Sequence, residues 1–191
     1  MLALRVYLPL RSLHEPLGEE LIRNYRGRAP QIAASAYVDP AAVVIGDVTI
    51  GNDSSVWPAA VIRGDVHWIR IGARTNVQDA AVLHVMRELY PLVVGDSVTI
   101  GHGAVLHGCT IESRVLIGMG SIILNNARVG AGSIVAAGTL VPENTVVPPG
   151  SLFMGHPGKF RRALTAEDQE TIDRYAARYV EYKETYRAES K

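Results

Sequence analysis

Six histidines occur in this 191-residue chain, and three of them stand where imidazoles could share an ion. His84 and His107 each follow a leucine directly, Leu83 and Leu106, and lie 23 residues apart. Removing the five extra residues of the segment between them leaves 18, three units of six. If a unit of six sets the local structure, the two side chains stand one above the other at strand spacing, about 4.8 Å. His102 falls two residues after Ile100, on the preceding face, and cannot simply join the pair; a neighbouring chain could supply it. Three neutral imidazoles with an open fourth position are the donor set of a catalytic zinc site, with room for a water and a substrate. The other reading makes His84 and His107 stacked polar residues and His102 a surface residue. A pair in vertical register beside a loop, with carboxamides nearby, favours the ion. His14, His67 and His156 lie in an unpatterned arm, an irregular step and a turn, where solvent exposure is expected.

The element that must hold these residues is a repeat of six. An aliphatic side chain returns at Val38, Val44, Ile50, Val56 and Ile62, again at Ile71, Val77 and Leu83, then at Val94, Ile100 and Leu106. It runs on from Ile111 through Ile117, Ile123, Val129, Val135, Val141 and Val147 to Phe153. Glycine often follows the aliphatic residue, and a small or β-branched residue often sits four places after it, as at Ser54, Ala104, Thr110, Ser121, Ser133, Thr139 and Thr145. Aliphatic side chains then fill a prism-shaped interior, the smaller residue packs at the tighter corner, and glycine relieves the turns. Three units make one coil. The fold class is mainly β, a parallel β-helix of hexapeptide repeats over residues 31–157, preceded by an arm over 1–30.

The spacing widens to nine between Ile62 and Ile71 and to eleven between Leu83 and Val94, so short loops are expected to leave the coil there. The second, Val85 to Pro91, begins right after His84, and loops on a rigid scaffold tend to carry function. After Phe153 the repeat stops and Gly155-His156-Pro157-Gly158 reads as a turn. Thr165-Ala166-Glu167-Asp168 resembles a capping box, and Ile172, Tyr175, Ala176, Tyr179 and Val180 mark one face of a helix over 165–187 packed alongside.

Nineteen basic and nineteen acidic residues cancel, so no net field draws the chain to nucleic acid or an anionic membrane. The single cysteine, Cys109, rules out an internal disulfide framework and is expected to be small and buried within its repeat. Met1 to Leu10 is apolar but interrupted by Arg5, a poor signal peptide, and no stretch is long and apolar enough to span a bilayer. A cytoplasmic location is the expectation.

The strings Val61-Ile62-Arg63-Gly64-Asp65, Asn76-Val77-Gln78-Asp79 and Val82-Leu83-His84, followed by Ile100-Gly101-His102-Gly103-Ala104-Val105-Leu106-His107-Gly108-Cys109, resemble the signature of the gamma-class carbonic anhydrases and their close bacterial relatives. The resemblance implies a left-handed β-helix and a homotrimer whose metal sites lie between subunits, with His84 and His107 from one chain and His102 from the next. It implies zinc, with iron or cobalt (Fe2+ or Co2+) as substitutes, and reversible hydration of carbon dioxide to bicarbonate by hydroxide drawn from a water of lowered pKa. By the same resemblance Gln78 orients that hydroxide or stabilises the developing oxyanion, and Asn76 fixes Gln78. Arg63 and Asp79 resemble the family's intersubunit ion pair, with Asp65 in the same network. Those three charged residues have two readings, trimer stability or a direct part in the chemistry.

One departure bears on rate. In the family's founding type a glutamate follows the Arg-Gly-Asp string and another lies in an acidic loop, together handling proton transfer. Here Val66 follows Asp65, and the loop after His84 offers only Glu88, so Glu88, a tyrosine such as Tyr179, or buffer must move the proton. Turnover is expected to be slow. The competing functions are a hexapeptide-repeat acyltransferase or acyl-CoA thioesterase, in which one histidine acts as general base, and a catalytically silent metal-binding trimer.

Overall fold

Three ladders of stacked aliphatic side chains account for the architecture. The computed structural model describes residues 21–189, and His14 with the first part of the expected arm lies outside them. On the first face Val38, Val56, Val77, Ile100, Ile117, Val135 and Phe153 are paired in parallel, each to the next. The second face stacks Val44, Ile62, Leu83, Leu106, Ile123 and Val141, and the third Ile32, Ile50, Ile71, Val94, Ile111, Val129 and Val147. Nearly all are buried and form one continuous apolar column. Each contributes about 1.5–3 kcal/mol on leaving water, so the column holds the coils together as a unit. The repeat begins a coil earlier than Val38: Gln31–Ile32 pairs with Thr49–Ile50, and Ile22–Arg23 with Val44 and Ile45. The last part of the arm is therefore built into the solenoid.

The irregular steps differ from expectation in one case and agree in the other. No loop leaves after Ile62. The strand Val61–Ile71 is unbroken, and its extra residues are taken up as a bulge, Gly46 pairing with Gly64 and Val48 with Ile69. Gly46 sits at φ 79° with its Cα against the Gly64 carbonyl, a position without room for a side chain. After Leu83 the chain does leave the coil, folding back through a Met86–Tyr90 bridge with Glu88 at φ 59°. A shorter step of five, from Leu106 to Ile111, brings Cys109 rather than Thr110 to the inner corner. Burial pushes the Cys109 thiol pKa far up, leaving it inert as a nucleophile.

Gly155 to Gly158 is the expected turn, but it closes a hairpin absent from the repeat pattern. Gly158–Ala163 pairs antiparallel with Ser151–Gly155. Its residues are mostly exposed and its lysine and arginines cap the open edge of the last coil, a position where an unpaired strand would recruit another chain. The helix spans Ala166–Glu189 and starts on the expected cap: Asp168 N–H donates to Thr165 Oγ1 (3.2 Å), and Thr165 N–H donates to Asp168 Oδ2 (2.8 Å). It runs back along one corner, joined to Gly132 by Gln169, to Arg114 by Asp173, to Asp53 by Lys183 and to Ser35 by Arg187. Ile172 and Ala176 face inward as expected, but Lys183 is the third buried residue and Tyr175 is exposed.

Candidate metal centre

The parallel pairing of Val82–His84 with Val105–His107 puts His107 directly opposite His84 on the next coil. Their ring centroids are 5.1 Å apart, and His84 Nδ1 faces His107 Nε2 at 3.1 Å. The outer nitrogens are both held by oxygen. His84 Nε2–H donates to Asp65 Oδ1 (3.0 Å), and His107 Nδ1–H donates to Asn125 Oδ1 (2.7 Å). Burial, with the Arg63 charge and the neighbouring His107 added to it, holds the His84 pKa below the usual imidazole value despite the opposing Asp65 carboxylate. Asp65 is itself raised by burial, but hydrogen bonds from His84 and Arg63 outweigh that and hold it below the usual carboxylate range. Arg63 forms its ion pair with Asp65 inside the chain, at 2.5 Å.

The remaining candidates collect at a different corner. His102 follows the strand Thr99–Ile100, and its Nδ1 lies 2.8 Å from Asp79 Oδ2. Its backbone N–H donates to Gln78 Oε1 (3.2 Å). Gln78 is buried, with Nε2 donating to Asn76 Oδ1 (3.1 Å), and Asn76 is anchored in turn by donating to Thr99 Oγ1 (2.9 Å). Tyr179 of the helix, packed on Trp57 at 5.4 Å, feels the Asp79 charge, which adds to burial in raising its pKa. One set, Arg63, Asp65, His84 and His107, therefore lies where the second face ends, and the other, Asn76, Gln78, Asp79 and His102, where the first face ends and the chain turns toward the second. Within one chain Arg63 and Asp79 are not partners. Among the described residues no three His, Cys, Asp or Glu side chains converge on a point that could hold an ion.

The bulge after Arg63 shapes a cleft of 330 Å³ beside Asp65, lined also by Tyr25, Arg28, Asp47, Val66, His67, Trp68 and Glu88. His67 is half-buried there, its Nδ1 accepting the Trp68 N–H at 2.9 Å, rather than facing solvent freely. His156 is exposed, as expected. Asn125 is the site residue that sequence reasoning missed. It lies 18 residues after His107, one full coil, so the arithmetic that paired the histidines also locates it.

Residues 108–143 match the family described as Bacterial transferase hexapeptide (six repeats). Over 168 residues the chain is 47% identical to a Geobacillus kaustophilus protein named carbonic anhydrase, spanning 88% of this chain and 92% of that one. It is 42% identical over 174 residues to gamma carbonic anhydrase 1, mitochondrial, of Arabidopsis thaliana, spanning 88% of this chain and 63% of that longer protein. The crystal structure of a hexapeptide transferase family protein from Anaplasma phagocytophilum superposes with a TM-score of 0.82 at 38% identity, over 85% of this chain and 96% of that one. With such identity over most of the chain, it belongs to the gamma carbonic anhydrase family of hexapeptide-repeat proteins.

Proposed function

We propose that the chain is a metal-dependent hydro-lyase interconverting carbon dioxide and bicarbonate, active as a homotrimer with His84 and His107 of one subunit and His102 of the next at each site. The observation that carries this reading is the facing pair of nitrogens. With both outer N–H groups donated to oxygen, the inner nitrogens at 3.1 Å are two lone pairs turned toward each other. That is unfavourable unless a cation lies between them. Two imidazole nitrogens on a tetrahedral ion at about 2.0–2.1 Å stand roughly 3.3–3.4 Å apart, close to the spacing present. The donor set fits zinc, and Fe2+ or Co2+ as well.

When bound, the ion supplies the Lewis acidity that brings the pKa of water toward neutrality. The protein's part is orientation. Asp65, backed by Arg63, keeps the His84 ring turned with Nδ1 inward. Gln78, clamped by Asn76 and by the His102 N–H, retains one amide hydrogen to offer to an oxygen of the substrate. Proton export has no dedicated glutamate beside Asp65, where Val66 stands, and Glu88 reaches only the same cleft. Hydration is therefore expected to be modest and to rise with buffer concentration.

The test is metal analysis beside native mass, followed by hydration assays on metal-loaded protein. About one ion per chain, a trimeric mass and hydration lowered more than about 100-fold by His107→Ala are expected. A monomer that takes up no metal would sink the proposal. The likeness to a hexapeptide transferase favours acyl transfer as the second reading. It predicts acetyl-CoA turnover without hydration, by a single histidine acting as base.

A further inference from the structure

An asparagine amide can turn either end toward a histidine, and the two ends impose opposite tautomers. At Asn125 the choice is made by a third residue. Asn125 Nδ2 donates to Glu143 Oε1 at 2.7 Å, and an ionised carboxylate only accepts, so the NH2 end is committed to Glu143. The oxygen end is left for His107, at 2.7 Å from Nδ1. Because Oδ1 also only accepts, the imidazole proton must sit on Nδ1, and Nε2 is bare where it faces His84. Residues 107, 125 and 143 are spaced by 18, so the stacking of coils aligns all three at one corner. Gly108 keeps the space open, since a Cβ there would lie 2.6 Å from Asn125 Oδ1.

We infer that Glu143 and Asn125 are positioning residues of the metal site, a relay in which a carboxylate two coils away fixes which His107 nitrogen is offered to the ion. The effect on ion binding rests on the reading of His107 as a ligand; the tautomer does not. A carboxylate at the end of the relay makes its own bond to Asn125 charge-assisted and, by polarising the amide, strengthens the bond from His107 to Oδ1.

The test uses the full-length 15N-labelled chain, stripped of metal by chelation, with two-bond proton–nitrogen spectra reporting the tautomer and Co2+ absorbance reporting affinity. The wild-type chain is expected to show His107 as a single Nδ1–H tautomer. Asn125→Leu should populate the Nε2–H form and weaken Co2+ binding by about 10- to 100-fold, the usual effect of losing such a partner. Asn125→Asp, which keeps an accepting oxygen, should restore the Nδ1–H form. Glu143→Leu, a change at an exposed side chain, should give a mixture of tautomers as the amide turns freely, and it reads the relay even if Asn125→Leu fails to fold. An unchanged single tautomer in either leucine variant, or no restoration by Asn125→Asp, would overturn the inference. A tautomer that responds as expected in a chain that binds no Co2+ at all would uphold the relay and sink the metal reading.

Discussion

The residue after His107 has no room for a side chain and a backbone that few side chains tolerate. Gly108 adopts φ 55°, and a Cβ there would meet Asn125 Oδ1 at 2.6 Å and Tyr90 Cβ at 2.8 Å. Both conflicts fall on the support of the proposed metal site: Asn125 holds His107, and Tyr90 closes the loop that begins after His84. Gly108→Ala is therefore expected to destabilise the fold by about 1–3 kcal/mol and to lower metal occupancy together with it. Thermal melting and metal analysis on one preparation check this. A stable variant with full metal content would show that Asn125 can move aside without consequence.

At the scale of elements, the terminal helix is fastened by a buried cation. The Lys183 side chain is fully buried, with Nζ 3.2 Å from Asp53 Oδ1 and also paired with Glu184. Its two carboxylate partners are exposed, so the pairing contributes little net stability, but removing Asp53 leaves the buried ammonium with Glu184 alone. Asp53→Asn is expected to cost about 1–2 kcal/mol, moderated by the remaining Glu184, whereas Lys183→Met should stay within about 1 kcal/mol of the native protein. Denaturant melts of both variants test the order, and the reverse order would show that the pair itself drives docking. This lysine also marks where sequence reading runs out. The inward ladder was legible because apolar burial recurs at every sixth residue, and the helix because Ile172 and Ala176 keep a helical period. A lysine on that stripe looks like solvent-facing charge until the partner corner is known. The corner turns hid for a related reason: positions 59, 80, 103, 120 and 138 all take φ between 56° and 67°, yet the first two are alanine, so glycine alone does not trace them. The nine-residue step was read as a loop because a bulge inside a strand leaves the same gap in the apolar period. That misreading is what placed His67 in solvent.

For the whole molecule, the division of the site between two corners has a consequence that subunit mixing can measure. His84 and His107 lie where the second face ends while His102 and Gln78 lie where the first face ends, so in the proposed trimer each site draws on two chains. A His102→Ala subunit still carries the facing imidazole pair, and a His107→Ala subunit still carries the third ligand. Each variant alone should bind little metal. Unfolded together in equal amounts and refolded, random closed trimers would place an intact pair against an intact His102 at about one quarter of the interfaces, one half multiplied by one half. Metal content and hydration activity are expected to recover to about that fraction of the native values. The one-quarter ceiling follows from heterologous contacts in a closed ring, where every subunit gives one corner and receives the other. A site contained within one chain would give no recovery at any mixing ratio, because every chain in the mixture lacks one of the three imidazoles.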